Sequence, residues 1–163
     1  MTLHFDAVYK EHAAYVVRSL RRLGVPERDV LDEAQNVFVA VHRKLRDFDP
    51  DRPLRPWIFG FCHRVAANYR RLARNRHESM APGPTEAKSS GDAVQRSEAR
   101  GIVLLGLQAL DDRGRAIFCM YELDGFTAPE IARVLEIEVE DVYVSVKTAR
   151  RRFRRALAER GLP

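Results

Sequence analysis

Between His77 and Arg100 the chain reads HESMAPGPTEAKSSGDAVQRSEAR, 24 residues without a Phe, Tyr, Trp, Leu or Ile but with Pro82, Gly83, Pro84, Ser89, Ser90 and Gly91. A stretch of that composition cannot bury a core and reads as a flexible linker over 77–100. It constrains the rest: a chain of 163 residues cut there leaves an N-terminal unit over 1–76 and a C-terminal unit over 101–163. Each is small enough to be marginal without a partner.

Hydrophobic spacing makes both units helical. In the first, Phe5, Val8, Tyr9, Val16, Leu20 and Leu23 recur at helical intervals until Gly24 and Pro26 end the segment. Leu31, Ala34, Phe38, Val41, Leu45 and Phe48 alternate steps of three and four, which predicts a second helix with one apolar stripe. After the turn FDPDRP, Leu54, Ile58, Phe61, Val65 and Leu72 predict a third, widened by Trp57, Phe59 and Tyr69. Three stripes make a three-helix bundle.

The second unit begins with helices around Ile102 to Leu110 and Arg113 to Leu123. In Thr127-Ala128-Pro129-Glu130 the Thr hydroxyl can accept from the Glu130 amide while the Glu carboxylate reaches back, a capping box that starts a short helix ending near Leu135. A turn at Glu136 to Glu138 and another helix complete a helix-turn-helix. The VYVSV that opens this last segment alternates like a strand. Val142, Val146, Ala149, Phe153 and Ala156, however, follow at four, three, four and three, so helix is expected, with Val144 facing out. The fold class read from these patterns is all-α, with two small helical domains joined by a flexible linker.

Charge points to a polyanion. The net charge is +5, and Arg64, Arg70, Arg71, Arg74 and Arg76 crowd the end of the third helix beside Asn68 and Tyr69. Basic groups there can neutralise phosphates and aromatic faces such as Trp57, Phe59 and Phe61 can stack on unpaired bases, although for each aromatic by itself a core position is the favoured reading. Lys147, Arg150, Arg151, Arg152, Arg154 and Arg155 load the last helix, where cations also complement the helix dipole. Asp32, Glu33, Gln35 and Asn36 make a polar patch that fits a protein contact or an ordinary wet helix face. Cys62 and Cys119 stand apart and read as buried apolar residues; no metal set, cofactor motif or catalytic constellation is found, and the five histidines are dispersed. An enzyme is therefore not expected. With no spanning apolar run and no leader pattern at MTLHFDAVYKEH, a cytoplasmic protein without membrane insertion is expected.

DEAQNVFVAVHRKL in the first unit and the terminal helix-turn-helix in the second resemble the extracytoplasmic-function (ECF) sigma factors of bacterial RNA polymerase, over nearly the whole chain. DEAQNVF is similar to that family's D-x-x-Q-E-V-F, RPWIFGFCHRVAANYRR to its W-L-Y-x-I-A-R-N-x-x-x-D-x-x-R-R, and LDDRGRAIFCMYELDGFTAPEIARVL to its region-four pattern. The resemblance implies an alternative sigma factor that binds core RNA polymerase and promoter DNA, needs no cofactor, and is held by an anti-sigma protein. It makes 1–76 the region-two domain and 101–163 the region-four domain. Asp32, Gln35 and Asn36 would meet the clamp helices of the polymerase's largest subunit. Trp57, His63, Arg64, Asn68 and Arg71, with the loop from Asp49 to Pro53, would hold melted minus-ten DNA, with unpaired bases flipped into pockets. Tyr143, Val144, Lys147, Thr148 and Arg151 would enter the major groove of the minus-thirty-five element.

Two departures stand out. His63-Arg64 and Asn68 replace the family's R-N and Asp, and acids at 138, 140 and 141 occupy the start of the reading helix, where they either shift the upstream preference or weaken it. The alternative reading is a helix-turn-helix regulator acting without polymerase, which would bind duplex DNA tightly by itself.

Overall fold

Gly24, at a φ of 100°, supplies the left-handed turn that ends α1 (Phe5–Arg22), and Pro26 at the N-cap starts α2 (Glu27–Lys44). Arg21 closes this corner with two hydrogen bonds of 2.6 Å to the Glu27 carboxylate, which hold that carboxyl below its usual range. A 3₁₀ turn at Leu45–Asp47 leads through Phe48 to α3 (Leu54–Asn75). The three helices pack pairwise into a bundle. Its fully buried centre is Val16 and Leu20 of α1, Val30, Val37 and Val41 of α2, and Ile58, Phe59 and Cys62 of α3. The computed structural model describes residues 2–76 and 91–163, and the chain divides into two compact units, Met1–Pro82 with Arg133–Glu136 and Gly83–Ala132 with Ile137–Pro163.

The stripes differ from expectation in three places. Leu31 is 67% exposed, because Val30, Ala34, Val37 and Val41 make an equally regular stripe one residue earlier and that one faces the core. Tyr9 is 49% exposed, its ring edge-on to Phe38 at 4.8 Å. Leu72 is 39% exposed, since the inner face of α3 continues through the small residues Cys62, Ala66 and Ala73.

The second unit starts with α4 (Gly91–Gln108). Part of the stretch read as a linker, 77–90, lies outside the described residues; the remainder belongs to this helix. From Gln95 to Arg100 its residues are exposed, so they are helical without adding to the core. Good helix formers with no Gly or Pro between 92 and 100 explain the extension. Asp111 caps α5 (Asp112–Phe118) by accepting from the Gly114 amide at 2.8 Å. The chain then loosens into a π-helical turn, Cys119–Leu123, closed by Asp124 N–H to the Cys119 carbonyl at 2.9 Å.

Two devices hold this smaller core together. Buried Arg115 donates to the Leu107 carbonyl at 2.9 Å and the Leu110 carbonyl at 3.2 Å, satisfying the C-terminal end of α4 from within. At Gly106 an added Cβ would collide with the ring of Phe153, so only glycine lets α4 approach α7 (Val139–Ala158) this closely. Phe153 in turn stacks on Phe118 at 4.5 Å.

The capping box is present: Thr127 N–H donates to Glu130 Oε2 at 3.0 Å and Glu130 N–H to Thr127 Oγ1 at 3.3 Å, opening α6 (Ala128–Leu135). Glu136, at a φ of 56°, closes α6, and Ile137 N–H reaches back to the Ala132 carbonyl at 3.0 Å. Helix α7 is one continuous helix with Val142, Val146, Ala149 and Leu157 buried, so the strand-like VYVSV is helical. No helix of the described residues is long and apolar enough to cross a membrane.

Candidate nucleic-acid interface

On α3, Trp57, Phe61, Arg64, Asn68 and Arg71 follow at four, three, four and three, and therefore share one stripe. Trp57 is partly buried between Phe48, at 4.6 Å, and Phe61, at 4.7 Å and nearly perpendicular. The Arg64 guanidinium lies 4.7 Å over the Phe61 ring, and Arg71 donates to Asn68 Oδ1 at 2.7 Å. His63 is a helical step off this stripe and partly buried, so the structure does not place it with the other four.

The stripe opens onto a groove of about 490 Å³ lined by Ala40, Arg43, Lys44, Asp47, Trp57, Phe61 and Arg64. Its floor is aromatic and its rim carries three cations and one acid. An apolar ring wall with cationic edges accommodates a stacked base and its phosphate. Sequence reasoning missed Arg43 and Lys44, because two basic residues in a helix's last turn are what the dipole favours. The neighbouring loop from Asp49 to Pro53 is exposed and turned by Asp49, whose Oδ1 accepts from the Asp51 amide at 3.0 Å.

Tyr69, which stands among the arginines of α3, donates its hydroxyl to the Asp29 carboxylate of α2. Burial first, and that carboxylate second, push the phenol up to about 12. It ties α3 to α2 rather than meeting a ligand.

Asp32, Gln35 and Asn36 are all exposed on α2, with Asn36 donating to Glu33 at 3.2 Å. Leu31, 67% exposed, and Val39, 50% exposed, stand one turn before and after Gln35 on the same row. This patch is therefore polar in the middle with apolar ends, the mixed composition of a protein contact. The fit of Leu31 to a core stripe hides those ends in the sequence.

On α7 the outward face carries Tyr143, Val144, Lys147 and Arg151, all exposed, with Thr148 partly buried. Thr148 also lines a shallow groove of about 370 Å³ with Asp141, Ser145 and Arg152 of α7 and Asp111, Arg113 and Gly114 at the start of α5. Arg150 is engaged elsewhere, its Nε donating to Glu122. Glu140 and Asp141 are exposed in the first turn, where they complement the helix dipole. Among the described residues no group of three or more His, Cys, Asp or Glu could hold a metal ion.

Comparison with known proteins accounts for both units. The family model for Sigma-70 region 2 matches residues 8–76. The RNA polymerase sigma factor CnrH of Cupriavidus metallidurans is 30% identical, the alignment covering 90% of this chain and 82% of that protein. The ECF RNA polymerase sigma-E factor of Escherichia coli is 29% identical over 82% of this chain and 76% of its own length. Among solved structures, CnrH in complex with the cytosolic domain of CnrY superposes with a TM-score of 0.70 at 29% identity, covering 95% of this chain and 88% of that one. The sigma factor RpoE of Bartonella quintana, in complex with the anti-sigma factor NepR, shares the fold at a TM-score of 0.71 and 17% identity, covering 94% of this chain and 96% of that one.

Proposed function

The chain belongs to the extracytoplasmic-function sigma factors of RNA polymerase, and from that premise we propose how its two units divide the work. It is an alternative sigma factor that binds core RNA polymerase and directs promoter-specific initiation and melting. Its partners are the core enzyme, promoter DNA and an anti-sigma protein. The observation that carries this is the likeness to CnrH along 90% of the chain, both units included. It acts in the cytoplasm and catalyses no bond chemistry of its own.

In this reading residues 1–76 are the region-two domain. Asp32, Gln35 and Asn36 bind the polymerase, and exposed Leu31 and Val39 support the reading by giving that patch apolar ends. The groove of Trp57, Phe61 and Arg64, rimmed by Arg43 and Lys44, holds an unpaired base of the minus-ten element. Asn68 and Arg71 extend the contact along α3, whereas His63 lies off that stripe and is left out of it. Residues 101–163, with the part of α4 that precedes them, are the region-four domain, where Tyr143, Val144, Lys147, Thr148 and Arg151 face the minus-thirty-five element.

The test is transcription with purified core enzyme on genomic library templates. Promoter-specific starts that depend on this chain are expected, and Asp32→Lys removes them while leaving the fold intact. Absence of specific initiation overturns the reading. Tight duplex binding by the chain alone, without association with core enzyme, would favour an independent regulator instead.

A further inference from the structure

Tyr121 lies outside the helix-turn-helix, in the π-helical turn Cys119–Leu123, yet its ring stands edge-on to that of Tyr143 on α7, centroids 6.5 Å apart and planes at 79°. Beside it Glu122 accepts from Arg150 Nε, and the Arg150 guanidinium also lies 5.6 Å from the Tyr121 ring centroid. Tyr143 and Arg150 are seven residues apart, two turns along one face of α7. Tyr121 is therefore in contact with both, and the π turn meets the reading helix through a ring pair and an ion pair side by side.

The two contacts differ in what they hold. The ion pair joins a partly buried acid to Arg150 and fixes where α7 sits against the turn. The ring pair leaves Tyr143 50% exposed, so it adds little burial. Its effect is directional, because a tyrosine on a helix has two accessible χ1 wells, and an edge-on neighbour selects between them.

We propose that Tyr121 is a specificity-determining positioning residue for the upstream promoter element, acting through Tyr143 by holding that ring in one orientation at the DNA face. This rests on the assignment of the outward face of α7 to the minus-thirty-five element and deepens it. The ring would meet base edges or a thymine methyl in the major groove. Arg150, bound to Glu122, is then part of the clamp rather than one of the phosphate-binding cations.

The experiment uses the full chain with core RNA polymerase on a promoter library randomised across the upstream element, reading base enrichment among transcribed templates. Tyr121→Ala and Tyr121→Leu should shift enrichment about two- to tenfold, at the same base positions as Tyr143→Ala. The double variant should shift it no further, and Tyr121→Phe, which keeps the ring, should restore the parental profile. Tyr121→Leu retains apolar bulk, so a change in its profile without loss of thermal stability separates orientation from folding. Unchanged profiles in the Tyr121 variants, with a changed one in Tyr143→Ala, overturn the proposal and leave the assignment of α7 standing. Unchanged profiles in both Tyr143→Ala and Lys147→Ala overturn that assignment and the proposal together.

Discussion

In the first unit Trp57 and Phe61 serve two surfaces at once, packing with Phe48 while walling the groove in which Arg64 lies over a ring. In the second, the core face of α7, Val142, Val146 and Ala149, and its outward face, Tyr143, Val144 and Lys147, are different sides of one helix. The first unit's aromatic walls stand between α2, the 3₁₀ turn and α3; the second unit has a smaller core and keeps its packing face and its outward face apart. The proposed assignment of an unpaired base to the first unit and a duplex to the second follows the same division. A base out of its stack is met by ring faces, which only a packed site can orient, whereas an intact duplex is met by side chains projecting from a helix. Mutations should thus couple fold to function in one unit and separate them in the other.

The largest expected effect is at Arg115. Arg115→Met leaves the Leu107 and Leu110 carbonyls without their buried donor, costing about 3–5 kcal/mol. Hydrogen exchange on the full chain should show protection lost in α4, α5 and α7 and retained in α1 to α3. Loss in all of them would break the comparison, since the units would then fold as one. Next is Trp57→Ala, which removes both ring contacts and costs the first unit about 2–3 kcal/mol. Promoter melting, followed by permanganate reactivity of unpaired thymines, should fall with it. Lys147→Ala is the contrast: an exposed site, stability unchanged within about 0.5 kcal/mol, and weaker upstream contact. Equal destabilisation by the two variants would remove the distinction.

Legibility in the sequence follows the same line. The helices of the first unit, the capping box and the helical nature of VYVSV were readable because apolar spacing and cap chemistry are local. Which of Val30 and Leu31 faces inward was not, since both fit a stripe and only the packing of three helices chooses. The groove was half legible: Trp57 and Arg64 stood out, whereas Arg43 and Lys44 come from another helix and meet them only in the fold. Arg115 was invisible as a structural group because a buried arginine and a DNA-facing one look alike in a basic chain. Tyr69, tied to Asp29, is a second structural group hidden in the same way.

Gly106→Ala should follow in size. Alanine favours a helix by about 1 kcal/mol over glycine, but the Cβ would enter the Phe153 ring, and overpacking of that kind costs about 1–3 kcal/mol. A lowered melting temperature is expected despite the better propensity, and a rise would mean that α4 and α7 can separate at little cost. In the opposite direction, Glu136→Gly relieves a left-handed backbone at a non-glycine residue and should stabilise by about 1 kcal/mol. The same variant tests whether the acid contributes to upstream preference: library enrichment changes if it does, and stability alone changes if it does not.

The smallest expected effect concerns His12, buried in α1 with no hydrogen-bond partner for Nδ1 among the described residues. Burial lowers its pKa below the ordinary 6.5 and Arg55 adds to that, while exposed Glu11, 3.9 Å from Nε2, opposes both. The folded state therefore binds fewer protons than the unfolded one just below pH 6.5. By linkage, stability is insensitive to this group above that value and falls as the pH drops from 6.5 toward the lowered folded-state pKa. Denaturant midpoints measured between pH 7.5 and about 5 should decline in α1 to α3, and His12→Gln should flatten the slope in that window. The second unit contains no histidine from Gly101 to Pro163, so its midpoint should not follow this titration. A parallel decline in both units would mean that carboxylates govern the acid response, and the contrast between a packed first unit and an independent second one would have to be drawn without His12.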